Sequence, residues 1–229
     1  MYRFLVTTKI ANHFLLSPSV LNHLKSIRLQ PQEKFICIYE KRFYVCQLEK
    51  QQAKILYELV ENHEYQYQLV LFAALIKPKH FEWLIQKATE LGVKDLYPLI
   101  STNTNPKYID QALKKQQRWQ EISNNAAEQA FRNQAMQVHL PISFEQAIKW
   151  SKGKKYLAHE IDLLPKTKAH QEQFFTGDLA FYVGPEGGFT TEEINWAQEA
   201  QLEIVFLGQR ILRSETAALW LLANVKDNH

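Results

Sequence analysis

The stretch "FYVGPEGGFTTEE", residues 181–193, decides how the second half of this chain is read. Only 7 of the 229 residues are glycine, yet Gly184, Gly187 and Gly188 fall within five positions. The apolar run before them has the composition of a buried strand. Thr190 followed by Glu193 is the pattern of a capping box, so a helix starts there. Glycines between strand and helix permit positive φ and let main chain come close to a ligand. The pattern lacks the GKS or GKT ending of a phosphate-binding P-loop, and it is not G-x-G-x-x-G. On residue types alone, a ligand loop and a ligand-free tight turn both remain open.

Two neighbouring stretches have the same strand-then-loop form: "YLAHE" (156–160) and "VFLGQRILRSET" (205–216). In open parallel sheets, ligands gather outside the carboxyl ends of the strands. In the later stretch Gly208 ends a strand, and Arg210 and Arg213 flank Ile211-Leu212. Ser214 is placed to cap the last helix, with Glu215 in its first turn. Two arginines beside a helix start suit an anionic or planar aromatic partner. A surface salt bridge for Arg210 and a helix-dipole role for Glu215 are the alternatives.

The order of elements around these loops predicts a two-part chain. Residues 1–68 contain short strands rich in β-branched and aromatic residues, "KFICIYE" and "RFYVCQL", about the charged turn Glu40-Lys41-Arg42. "KILYELV" is a third strand, and "SPSVLNHLKSIRL" spaces Val20, Leu21, Leu24 and Ile27 as a helix does. A small β-barrel with one helix is predicted, closed by a polar linker at 61–68. From residue 69, strands alternate with helices. "LVLFAALI" is followed by "HFEWLIQKATELG", where Gly92 stops the helix. A long helix over 109–133, a polar loop at 161–177 and the last helix "ETAALWLLANV" complete the pattern. This is the order of an α/β domain over 69–229, a parallel sheet with helices on both faces.

Composition sets limits. No apolar run approaches the length that spans a bilayer, and no signal-peptide pattern opens the chain, so a cytoplasmic protein without membrane contact is expected. Cys37 and Cys46 fit no metal spacing and read as buried reduced thiols. The net charge is +3, and residues 1–68 carry all of it, with 9 Lys and Arg against 6 Asp and Glu. That part could face a polyanion.

Together, "GPEGGFTTEE" and "LGQRILRSETA" resemble the paired C-terminal motifs of the RsmE family, SPOUT-class methyltransferases of 16S ribosomal RNA. "KPKHFEWLIQKATELGV", "RWQEISNNAAEQAFRNQ", "HLKSIRL" and "YRFLV" follow that family in order and spacing, so the resemblance covers nearly the whole chain. There are two departures. Gln32-Glu33 stands where the family has Gly-Asp, and "STNTN" (101–105) supplies neither the Glu nor the Arg usual after the second strand.

The resemblance implies a PUA-like β-barrel that binds RNA, followed by a SPOUT α/β domain tied in a trefoil knot. It implies methylation of uracil N3 at uridine 1498 of 16S rRNA in the 30S subunit, with S-adenosyl-L-methionine as donor and no metal. The cofactor loops would comprise Leu157, Gly184, Glu186, Gly187, Gly188, Leu207, Gly208, Ile211, Leu212 and Arg213. Arg132, Arg213 and Arg210 would steady the uracil anion. Glu186 or Glu215 would accept the proton, with Glu128 as a third carboxylate. Arg3, Lys25, Arg28 and Arg210 would meet RNA phosphate. A homodimer through the last helix and Trp220 is expected; burial of that helix in the monomer core is the other reading. Two further readings stay open: a SPOUT enzyme acting on a ribose 2′-hydroxyl, and a ribosome-assembly RNA-binding protein without catalysis.

Overall fold

The computed structural model describes residues 1–150, 152–160 and 175–226. The chain divides into two compact units: Met1–Glu64 with Asn124–Ala135, and Tyr65–Ser123 with Met136–His229.

The first unit contains β1 (Arg3–Leu5), β2 (Lys9–Ile10), β3 (His13–Leu15), α1 (Pro18–Ser26), β4 (Lys34–Tyr39), β5 (Arg42–Glu49) and β6 (Gln52–Leu59). They form one curled sheet in the order β1-β4-β5-β6-β3-β2. The β4–β5 hairpin turns at Glu40 and Lys41, with φ of 48° and 64°. Positive φ at both central residues gives the turn that matches strand twist. Helix α1 starts where Ser17 accepts a hydrogen bond from the Val20 N–H and Pro18 occupies the first turn.

Strands β4 and β5 are apolar on both faces, and the packing explains why. Phe35, Cys37, Tyr44 and Cys46 join Val20 and Leu24 of α1 in one cluster. Ile36, Ile38, Phe43 and Val45 face the other way and pack with Phe131. Phe131, from the segment 124–135 that a reading along the chain assigns to the second domain, packs on that second face together with Leu5 and Leu59. Both cysteines are free and buried.

The polar stretch at 61–68 is built into the fold. The Asn133 side-chain amide donates to the carbonyls of Lys41 and Glu61, and the His63 N–H donates to Asn133. Tyr65 and Tyr67, on the second unit's side of the division, stack with ring centroids 5.1 Å apart.

The second unit holds β7 (Leu69–Ala74), α2 (Pro78–Glu90), β8 (Asp95–Ile100), α3 (Pro106–Ala130), β9 (Gln137–Val138), β10 (Ile142–Ser143), α4 (Phe144–Ile148), β11 (Lys154–Ala158), β12 (Leu179–Val183), α5 (Thr191–Glu199), β13 (Glu203–Val205) and α6 (Ser214–Ala223). The last residues of α3 belong to the first unit. The sheet runs β10-β8-β7-β12-β11-β13, with β9 beside β8, and every pairing is parallel. All residues of β7 and β12 are buried, as a parallel strand covered on both faces requires. Phe81 and Leu84 of α2, Trp119 of α3 and Leu221 of α6 pack on one face. Phe144 of α4 and Ile194 of α5 pack on the other. Helix α2 ends as predicted, with Gly92 at φ 86°. The predicted loop at 161–177 lies mostly outside the described residues, which resume at Phe175. No helix among the described residues is long and apolar enough to cross a membrane.

Candidate functional site

β7 and β12 are neighbours in the sheet, and the chain leaves them in opposite directions: β7 leads to β8, β12 to β13. Such a switch point opens a crevice beyond the carboxyl ends of the strands. The two glycine loops lie at that end of the sheet, at 184–190 after β12 and at 206–213 after β13, with Leu157 of β11 between the strands. Leu157 pairs with Tyr182 on one side and Ile204 on the other. Its side chain is buried in the core.

The loops are joined directly. The Ser214 hydroxyl donates to the Gly184 carbonyl at 2.5 Å. This corrects the expectation that Ser214 caps α6, because Arg213 occupies the cap position without a side-chain bond. The hydroxyl ties the start of α6 to the end of β12 instead.

In the first loop, Gly188 has φ 66° and its N–H closes a turn onto the Pro185 carbonyl at 2.9 Å. Gly187 packs closely for a different reason: a Cβ there would lie 3.2 Å from Asn103 Cβ, a tight contact that Asn103 would have to yield to. The capping box forms as predicted, with Glu193 accepting from the Thr190 N–H at 2.9 Å. The buried Glu193 carboxylate also accepts from the Thr102 N–H at 2.8 Å and its hydroxyl at 3.1 Å. Asn103 donates to the Gly187 and Gly188 carbonyls. Sequence reasoning missed Thr102 and Asn103. The only signal was the departure of "STNTN" from the family pattern.

In the second loop, Leu207 and Leu212 are half-buried, while Gly208, Arg210, Ile211 and Arg213 are exposed. Among the described residues, the guanidinium groups of Arg210 and Arg213 make no hydrogen bond or ion pair. Glu186 is exposed at the tip of the first loop. Glu215 lies in the first turn of α6, its Oε1 3.2 Å from Nδ1 of His80 on α2. At the end of β11, the half-buried His159 has its pKa lowered, mainly by burial, with Glu160 opposing.

The other predicted site residues lie in the first unit. Arg132 is 3% exposed. Its Nε donates to Glu64 Oε1 at 3.2 Å and its terminal nitrogen to Oε2 at 2.5 Å, while the Asn133 N–H also donates to Glu64. The structure therefore gives Arg132 an occupation inside the fold rather than an open guanidinium. Arg3 lies over the Phe131 ring at 4.8 Å and donates to the Gln129 carbonyl. Glu128 accepts from the Leu5 N–H at 2.7 Å, and burial raises its pKa. Lys25 and Arg28 are exposed beside a cavity of about 540 Å³ that Lys50 also lines. Among the described residues, no group of three His, Cys, Asp or Glu side chains is arranged to hold a metal.

A parallel sheet with joined glycine loops at its carboxyl end defines a class, and residues 63–226 match the family described as RNA methyltransferase domain. A protein of Mesomycoplasma hyopneumoniae named ribosomal RNA small subunit methyltransferase E is 36% identical over 99% of this chain and 100% of its own length. The crystal structure of a ribosomal RNA small subunit methyltransferase E from Neisseria gonorrhoeae, bound to S-adenosyl methionine, has a TM-score of 0.85 at 30% identity. It covers 97% of this chain, which covers 95% of that one. A methyltransferase from Legionella pneumophila, in complex with the same cofactor, has a TM-score of 0.84 at 27% identity, with the same coverage. The chain belongs to the ribosomal RNA small subunit methyltransferase E family, with its PUA-like sheet and SPOUT α/β domain.

Proposed function

We propose that this chain transfers a methyl group from S-adenosylmethionine to N3 of uridine 1498 in 16S rRNA of the small subunit. The observation that carries this reading is the Ser214–Gly184 bond, which joins two glycine loops into one cradle at the switch point of the sheet. The cradle fits the cofactor. At Gly188 and Gly208 a Cβ would meet no atom of the described residues within 4 Å. Gly184, Gly187, Leu207, Ile211 and Leu212 would line it, with Leu157 contributing main chain from β11. S-adenosylmethionine, when bound, supplies a methyl group on a positive sulfonium.

Uracil N3 carries a weakly acidic proton and is a poor nucleophile until that proton leaves. Arg213 and Arg210, whose guanidiniums make no hydrogen bond or ion pair among the described residues, would stabilise the negative charge that develops on the ring. Glu186, exposed on the loop tip, would receive the N3 proton. Glu215 is the second carboxylate, oriented by His80. Arg132 serves the fold through Glu64 in this reading. Holding ring and methyl donor in line supplies much of the rate.

The first unit would bind rRNA through Lys25 and Arg28, with Arg3 anchoring its own sheet. The chain would work in the cytoplasm as a homodimer. Ile211 is 78% exposed and Trp220 of α6 is 37% exposed, an apolar surface suited to a second copy. The trefoil knot belongs to the same reading.

The test uses labelled cofactor and undermethylated 30S subunits. Label at uracil N3 is expected. Label on ribose would replace the base assignment with 2′-O methylation, and RNA binding without transfer would leave an assembly protein. Arg213→Ala is expected to lower kcat on the order of 100-fold.

A further inference from the structure

We propose that Asn103 is a positioning residue for the cofactor, acting through the shape of the 184–188 loop; this rests on the cofactor reading above. The loop after β8 places Asn103 against the glycines. Its Nδ2 donates to two successive carbonyls, Gly187 and Gly188, each at 3.1 Å. One –NH₂ group has two hydrogens, so both are used.

The peptides that follow Gly187 and Gly188 are otherwise easy to rotate, because neither glycine has a side chain to resist. In a planar trans peptide, C=O and N–H point in opposite directions. Holding the Gly187 carbonyl therefore directs the Gly188 N–H away from Asn103, where it meets the Pro185 carbonyl at 2.9 Å. Holding the Gly188 carbonyl directs the Phe189 N–H away from Asn103 in the same manner. That N–H has no partner among the described residues, and neither do the N–H groups of Glu186 and Gly187. One side-chain amide thus orients a turn that offers main-chain donors to an acceptor on the bound cofactor.

The neighbouring Thr102 fixes the loop that carries Asn103. It is anchored to Glu193, whose carboxylate also starts α5. The Asn103 backbone is held independently of the contact it makes. Its side chain is exposed, so a substitution there removes the two hydrogen bonds without opening the core.

The comparison of two substitutions separates donation from space-filling. Asn103→Asp keeps the shape but turns a carboxylate toward two carbonyl oxygens. Asn103→Ala removes the group. If donation matters, Asp is at least as damaging as Ala. Calorimetric titration with S-adenosylmethionine is expected to show a dissociation constant about tenfold weaker for Ala and weaker still for Asp. The melting temperature without cofactor should stay within about 2 °C of the parent, the size expected of a surface change. The rise in melting temperature at a fixed cofactor concentration should shrink, and KM for the RNA should not move. Asn103→Asp binding the cofactor within twofold of the parent would overturn the proposal. So would an equal loss of melting temperature with and without cofactor. A parent protein that takes up no cofactor at all would instead sink the reading on which the proposal rests.

Discussion

Each unit holds a glutamate whose side chain is buried, and the two carboxylates are satisfied by different means. Glu64 in the first unit, with its side chain 8% exposed, meets a full positive charge on Arg132. Glu193 in the second unit is 2% exposed and meets no cation among the described residues. Its partners are the N–H groups of Thr102 and Thr190 and the Thr102 hydroxyl, at the start of α5. A buried charge can be balanced by an opposite charge or by several oriented neutral donors at a helix start. The first solution makes both partners costly to lose. The second spreads the charge over main chain, which ties one loop to another.

Replacing one partner of each carboxylate tests that contrast. Glu64→Gln removes the carboxylate that faces the buried Arg132 guanidinium, so a loss of about 3–5 kcal/mol is expected in urea unfolding. The double variant Glu64→Gln with Arg132→Met removes both charges and should recover most of that loss. If the double variant were as unstable as the single one, the charge pair would not be what Glu64 contributes. Glu193→Gln leaves no opposite charge behind. It should cost about 1–2 kcal/mol, and no second substitution is expected to rescue it.

Smaller effects distinguish carboxylates by their pH dependence. Glu82 on α2 has its pKa held below its ordinary 4.5, first by hydrogen bonding from Arg118, then with help from Lys115. A lowered folded pKa contributes stability above the ordinary value, and this is lost as pH falls through the folded pKa. Glu82→Gln should therefore flatten the acid limb of stability below about pH 4.5. Glu128 has the opposite sign. Burial raises its pKa, so its ionised form destabilises the fold once pH rises past that value. Glu128→Gln retains an acceptor for the Leu5 N–H and should be more stable than the parent at pH 7. The advantage should vanish in acid. Equal pH slopes for the two variants would contradict the assignment of their environments.

Much of this was legible in the residues. The apolar runs of β7 and β12, the helical spacing in α2, the Gly92 stop and the Thr190–Glu193 capping box are local patterns, and each formed where the spacing placed it. Other features depend on partners distant in sequence. Phe131 and Arg132 read as the end of a long helix, yet they pack with Phe43 and pair with Glu64. Ser214 has the residue type of a cap, but a carbonyl 30 residues earlier takes its hydroxyl. Thr102 and Asn103 carry no charge and no periodicity, so nothing local marked them as the brace of the glycine loop. The two-residue strands β9 and β10 are too short for any pattern to declare.

The segment 124–135 gives the first unit an order of assembly. Its sheet residues have all emerged in sequence by Glu64, but Phe131, which packs on Ile36, Ile38, Phe43 and Val45, comes some 60 residues later. At translation rates of about 5–20 residues per second, the nascent sheet waits on the order of several seconds with that apolar face lacking Phe131. A fragment cut after residue 68 would lack Phe131 permanently, with the Glu64 charge left without its partner. The amino-terminal unit is thus finished by a piece of chain synthesised in the middle of the protein, and a chaperone present in that interval has a defined surface to shield.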